Sequence, residues 1–139
     1  MTTFFVFGSL MDMDILSAVL GRAVPESDCR IAHADGFKRV RIAGVSYPAM
    51  IPSPGATAEG LAVSNLSPRD VARLAAYEGA NYEARPIALR LEDGSQAPAR
   101  YWHWIGKLAL VDAPWDFETW RRTAKSGMLA AARAASRRT

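Results

Sequence analysis

The sequence predicts an α+β domain that is rich in strands and contains few helices. Three observations support this fold class: an apolar strand-like segment near the N-terminus, a well-capped helix over 67–79, and a strand–turn–strand pattern around 92–95. The chain of 139 residues has the length of one domain, and half of its residues are hydrophobic. We therefore expect a single domain over 1–139.

A buried strand and a short helix are predicted first. The segment FFVF at 4–7 is apolar throughout, as strands in the interior of a protein are. A helix is predicted over 12–21, because its apolar residues have helical spacing, Asp12 or Asp14 can cap its start, and Gly21 fits its end.

The middle of the chain is predicted to be mostly β-structure. The pattern over 29–51 is β-like but irregular, and three prolines within 48–54 favour an extended or looped backbone over a helix. The segment AEGLAVSNL at 58–66 is a strand candidate. A hairpin is predicted over 85–104, because the turn residues at 92–95 lie between two strand-like segments.

The clearest helix in the sequence covers 67–79. Ser67 is a natural N-cap, Pro68 suits the first helical position, and Gly79 marks the end. These three residues fix both ends of the predicted helix from local chemistry alone.

A C-terminal helix is predicted over 115–139. Its apolar residues fall near one stripe: Phe117, Trp120, Ala124, Met128 and Ala131. The segment has six Arg or Lys and two acids, a net charge of +4, so with a total of +3 the remainder carries −1. A basic end on a near-neutral body is typical of a solvated helix face, and we expect no nucleic-acid partner.

Targeting and membrane segments are not evident in the sequence. No apolar run approaches the roughly 18 to 20 residues that span a membrane, and the N-terminus lacks the pattern of a signal peptide. Cys29 is the only cysteine, so an internal disulfide framework is excluded. We expect a cytoplasmic protein without a membrane partner.

Metal, cofactor and hydrolase motifs are also missing. Cys29, His33 and His103 lack any standard ligand spacing, so we interpret Cys29 as a buried thiol and both histidines as ordinary strand residues. Ser9 lies in FGSL rather than in G-x-S-x-G, and the sequence contains no glycine-rich nucleotide motif. No metal and no cofactor are expected.

Glu78 and the Gly8–Ser9 pair each allow two interpretations. A carboxylate at a helix C-terminus, such as Glu78, is either a solvated surface residue or a partly buried one whose pKa is raised, which would make it a proton acceptor near neutral pH. Gly8 and Ser9, where the first strand ends, form either a plain turn or a backbone loop that holds a ligand.

Four separated segments resemble the γ-glutamylcyclotransferase-like superfamily, in particular its AIG2-like and γ-glutamylamine cyclotransferase branch. They are VFGSL, YPAMIPSPGATAEGL, LAAYEGANYEARPI, and the strand ARYWHW with the Trp-rich segment after it. Their order and spacing agree with the family over about residues 4 to 120.

The resemblance implies a small mixed β-barrel with flanking helices and a cofactor-free reaction. Members of the family cyclise a γ-glutamyl group to 5-oxoproline and release the amine to which it was attached. By the resemblance, Glu78 is the catalytic residue, and the substrate-binding residues are Phe7, Gly8, Ser9, Leu10, Tyr82 and Arg85. We expect Tyr82 to line the pocket and Arg85 to pair with an acid.

Phe7 stands where the family's loop commonly has Tyr, so one hydroxyl group is missing. A non-catalytic small-molecule-binding module of the same fold is therefore the alternative to an enzyme. The sequence does not determine which amine the reaction releases. A free amino acid, a lysine side chain, a peptide and an aminoglycoside-like amine are all compatible with it. It also leaves the oligomeric state open.

Overall fold

A closed barrel of five strands forms the centre of the computed structural model, which describes residues 1–137. The barrel strands are β1 (Thr2–Val6), β2 (Cys29–Ile42), β3 (Pro48–Leu66), β4 (Tyr82–Leu91) and β5 (Gln96–Trp104). A short sixth strand, β6 (Leu110–Val111), follows them in the chain. The helices of the described residues are α1 (Met13–Leu20), α2 (Pro68–Glu78), α3 (Phe117–Thr123) and α4 (Lys125–Arg137), with 3-10 turns at Ser9–Met11 and Glu26–Asp28. None of these helices is long and apolar enough to cross a membrane.

The barrel is mixed because one of its neighbouring strand pairs is parallel. The strand order is β3-β1-β5-β4-β2, and a pairing between β2 and β3 closes the ring, while β6 pairs with the far end of β2. The β1–β5 pair is parallel, whereas the other pairs are antiparallel. The predicted α+β class and small mixed barrel are confirmed.

The proline-rich segment is part of a long strand. Pro48 to Pro52 pair with Arg41 to Phe37 of β2, so the backbone is extended, one of the two alternatives that the prolines favoured. The pairing then shifts register, since Asp35 pairs with Thr57. Residues 53–56, which include Pro54, lie where the register shifts. A proline at such a shift does not remove a hydrogen bond from the pairing of the two strands.

Both internal helices begin and end where the sequence predicts. Ser67 caps α2, accepting from the Asp70 N–H while Asp70 accepts from the Ser67 N–H, and Gly79 follows with a φ of 76°. For α1 the cap is Asp12 rather than Asp14, because the Asp12 carboxylate accepts from the N–H groups of Asp14 and Ile15.

The C-terminal segment differs from the single helix predicted over 115–139. It contains two helices, α3 and α4, which are separated at Ala124. Because the break changes the helical register, Ala132 is buried and Ala131 is exposed, so the prediction for Ala131 is wrong. Residues 138–139 lie outside the described residues.

The segment packs on the barrel and on α1. Trp115 and Trp120 are buried in the same apolar cluster as Phe4 of β1 and Leu16 of α1. Asp12, which is 1% exposed, accepts from Lys125 at 2.9 Å and from Arg121 at 3.3 Å. The start of α1, just after the 7–10 loop, is thus tied to the C-terminal helices.

Candidate active site

Glu78 is the last residue of α2 and is partly buried. Removal of the carboxyl group from water raises its pKa from the ordinary 4.5 to about 8. The partial negative charge at the helix C-terminus acts in the same direction. Of the two interpretations of Glu78, the structure favours the partly buried carboxyl group.

An inner cavity brings Glu78 together with the 7–10 loop. The residues that line it come from β1, the loop, the start of β3, the end of α2, β4 and β5: Phe5, Val6, Phe7, Gly8, Ser9, Leu10, Tyr47, Pro48, Glu78, Tyr82 and Trp102. Its volume is about 30 Å³, enough for about two water-sized groups. Six of the seven residues implied by the resemblance line this cavity.

A larger outer cavity adjoins the inner one. It has a volume of about 150 Å³ and is lined by Ser9, Tyr47, Tyr77, Glu78, Tyr82 and Met128. The two cavities share Ser9, Tyr47, Glu78 and Tyr82, so Glu78 borders both. Met128 brings α4 to the rim of the site.

The 7–10 loop lines the inner cavity, and its backbone N–H groups are candidate donors to a ligand. Its 3-10 turn uses the N–H groups of Met11 and Asp12, which donate to the carbonyls of Gly8 and Ser9. The N–H groups of Ser9 and Leu10 come before these two donors in the chain. The first N–H groups of a helical turn have no acceptor within that turn. A side chain on Gly8 would lie 3.0 Å from the ring of Pro48, so glycine allows the two segments to approach closely.

Arg39 of β2 holds the loop from behind. Its Nη1 donates to the Phe7 carbonyl at 3.1 Å, and its guanidinium lies 5.7 Å from the ring centroid of Trp115. In a planar trans peptide the C=O and the next N–H point in opposite directions. The bond from Arg39 therefore fixes the direction of the Gly8 N–H. Sequence analysis did not identify Arg39.

Tyr77 joins the loop to the helix that carries Glu78. Its hydroxyl and the Ser9 hydroxyl form a hydrogen bond of 2.8 Å. Burial raises the pKa of Tyr77 to about 12, so the phenol stays protonated at neutral pH. The position of Tyr77 next to Glu78 was the available sequence signal, but the sequence alone assigned Tyr77 no role in the site.

Tyr82 and Arg85 have different environments although they are close in sequence. Tyr82 lines both cavities, donates from its hydroxyl to the Pro48 carbonyl at 2.8 Å, and packs edge-on against Trp104. Arg85 is exposed, pairs with Glu83 at 2.9 Å, and lines neither cavity. Arg85 pairs with an acid as expected, but the structure does not bring it to Glu78.

The remaining residues singled out in the sequence lie in strands. His33 belongs to β2 and His103 to β5. Cys29 begins β2 and is only partly buried, and burial raises the pKa of its thiol. In the described part of the chain no group of three or more His, Cys, Asp or Glu is placed to hold a metal ion.

Solved structures of other proteins share this fold. A solution structure from Arabidopsis thaliana has a TM-score of 0.70 and 29% identity, covering 94% of this chain and 87% of that chain. A gamma-glutamyl cyclotransferase structure has a TM-score of 0.60 at 13% identity, covering 78% of this chain and 69% of its own, and shows the likeness of fold alone.

Sequence comparison defines the family. The family model "Gamma-glutamyl cyclotransferase, AIG2-like" matches residues 4–122, so the chain belongs to this family. AIG2-like protein A of Arabidopsis thaliana is 32% identical over 123 residues, which cover 87% of this chain and 73% of the relative. AIG2-like protein B of the same plant is 32% identical over 120 residues, covering 85% and 68%.

Proposed function

We propose that this protein is a cofactor-free cyclotransferase that converts a γ-glutamyl amine into 5-oxoproline and releases the amine. The observation that carries the proposal is the position of Glu78, which lines the same cavity as the 7–10 loop and whose carboxyl group has its pKa raised to about 8 by burial. Glu78 acts as the general acid and base.

The reaction needs a proton acceptor but no protein nucleophile. The substrate's own α-amine attacks its γ-carbonyl carbon, and that amine is protonated at neutral pH. The ionised form of Glu78, which is the minor form below about pH 8, takes one proton from the ammonium, and the freed amine forms the ring C–N bond at the γ-carbonyl carbon. Glu78 then returns the proton that it took to the departing amine. The ring nitrogen loses its second proton as the bond to the leaving nitrogen breaks, and this proton passes to the released amine or to solvent.

Negative charge develops on the γ-carbonyl oxygen during ring closure. The N–H groups of Ser9 and Leu10 lie in the loop that borders Glu78 and are suited to stabilise this charge. Neither proton transfer requires a hydroxyl at position 7, where Phe7 is buried. The missing hydroxyl is nevertheless the observation that favours the alternative function, a binding module without turnover.

A panel of γ-glutamyl amines with different leaving groups tests the proposal. The wild-type protein should release 5-oxoproline and free amine in equal amounts from at least one of them. The matched control is the α-glutamyl amide of the same amine, which cannot expel the amine by closing this ring. Binding of γ-glutamyl amines without release of 5-oxoproline from any of them would support the binding module instead.

Tyr82→Phe should weaken ligand binding, by roughly two- to tenfold, because the lost bond to the Pro48 carbonyl holds a segment that lines the pocket. Affinity for 5-oxoproline is measured by calorimetry, and stability by urea denaturation. Tyr101→Phe is the matched control, since its hydroxyl bonds to His103 and it lines neither cavity. Equal affinity in the two variants would assign Tyr82 to the scaffold.

A further inference from the structure

Trp102 has a buried polar atom that the packing of the protein does not explain. The residue is 7% exposed, and its indole nitrogen Nε1 has no hydrogen-bond partner among the described residues. The other three tryptophans donate from Nε1: Trp104 to the Leu108 carbonyl, Trp115 to the Ser46 carbonyl and Trp120 to the Met128 sulfur. A buried donor without an acceptor is destabilising and calls for a reason.

The apolar contacts of Trp102 do not supply that reason. Its ring stacks on Phe4, with centroids 4.9 Å apart and an interplanar angle of 14°, within the main core cluster. A phenylalanine would make the same kind of stacking contact. The N–H group is the part of the side chain that the core does not use.

The inner cavity, which Trp102 borders, is the space in which a bound ligand can bring an acceptor to the indole side chain. Trp102 lines this cavity with Glu78 and the 7–10 loop, and none of the lining residues is an Arg, Lys or His. Oxygen atoms of a γ-glutamyl group bound there must therefore be held by neutral donors. The cavity volume of about 30 Å³ suits a group the size of a carboxylate or a carbonyl.

We propose that the Trp102 indole N–H donates a hydrogen bond to an oxygen of the γ-glutamyl group, which makes Trp102 a substrate-binding residue. This inference rests on the proposed function for the identity of the ligand. The acceptor is either the α-carboxylate or the γ-carbonyl oxygen, and the two differ in kinetics. A bond to the carboxylate acts on KM, whereas a bond to the oxygen that becomes negative in the transition state acts on kcat.

The indole resonances test the bond directly. In ¹⁵N-labelled protein, the Trp102 signal is identified as the one missing from Trp102→Phe. It should move on titration of the wild type with 5-oxoproline, and by more than the signal of Trp115, which lines neither cavity. A similar shift with 2-pyrrolidinone, which lacks the carboxylate, would identify the carbonyl oxygen as the acceptor. A shift with 5-oxoproline but not with 2-pyrrolidinone would identify the carboxylate as the acceptor.

The Trp102→Phe variant gives the second readout. It should lower kcat/KM for a γ-glutamyl amine about tenfold or more, while removal of the unpaired donor offsets part of the stability that the smaller ring loses by leaving a cavity in the core. Tyr101→Phe is the control: it loses the bond to His103, lines neither cavity and should leave kcat/KM unchanged.

Three results would overturn the inference. Saturation with 5-oxoproline that leaves the Trp102 signal unmoved excludes the bond while leaving the proposed function intact. Unchanged kcat/KM in a folded Trp102→Phe variant shows that the N–H does not hold the substrate. Failure of the wild type to bind any γ-glutamyl amine or 5-oxoproline overturns the proposed function and this inference together.

Discussion

Glu78→Gln should release 5-oxoproline at least about a hundredfold more slowly than the wild type, the lower end of what general acid–base catalysis contributes. Glutamine keeps the size and hydrogen-bonding ability of the side chain but cannot accept a proton. The variant should therefore fold and still bind γ-glutamyl amines. The measurement is the single-turnover rate of 5-oxoproline release, with the enzyme in saturating excess over the substrate.

Glu83→Gln is the matched control for this experiment. Glu83 is exposed on β4, pairs with Arg85 and lines neither cavity, so its substitution should leave the rate unchanged. Undiminished turnover by Glu78→Gln would remove Glu78 from the mechanism. Loss of binding together with turnover would mean that Glu78 mainly recognises the substrate's ammonium group.

Glu78→Gln should also be more stable than the wild type at alkaline pH. The folded-state pKa of Glu78 is about 8, above the ordinary value of 4.5, so between these values the folded protein binds a proton that the unfolded chain has released. Stability of the wild type therefore falls as pH rises from about 4.5 to about 8 and then levels off. At about 1.4 kcal/mol for each pKa unit, the difference amounts to a few kcal/mol above pH 8 and vanishes near pH 4.

Urea denaturation of both proteins at several pH values between 4 and 9 measures this difference. The glutamine variant lacks the titrating group, so the gap between the two free energies of unfolding isolates the contribution of Glu78. For Glu83→Gln, the difference from the wild type in free energy of unfolding should not increase between pH 4 and pH 9. Parallel curves for wild type and Glu78→Gln would mean that the Glu78 carboxyl group is not shifted.

Local chemistry predicted the helices better than the long strands. Ser67, Pro68 and Gly79 determine the ends of α2 through capping and backbone conformation, which involve only neighbouring residues. The extent of β3 depends instead on pairing with β2, so the prolines at 48–54 left extended and looped backbone equally open. The break at Ala124 has no strong local signal, because residues on both sides of it are compatible with a helix.

The candidate site could be predicted in part. The resemblance identified Glu78 and the 7–10 loop, and the structure brings them to one cavity. Arg39, Tyr77 and Trp102 were missed because their significance lies in contacts across the fold, such as the bond between Ser9 and Tyr77, which are 68 positions apart. Arg85 matched a motif, yet its strand places it on the exposed surface.

The ionisation of Glu78 in the free protein is the most direct check on the proposed mechanism. Glutamate labelled with ¹³C at the carboxyl carbon gives one resonance for each Glu, and the resonance missing from Glu78→Gln belongs to Glu78. Titration from pH 3 to pH 10 should give this resonance a midpoint near 8. A midpoint near the ordinary 4.5 would mean that the carboxyl group faces water, and it would contradict a role for Glu78 as the buried general base.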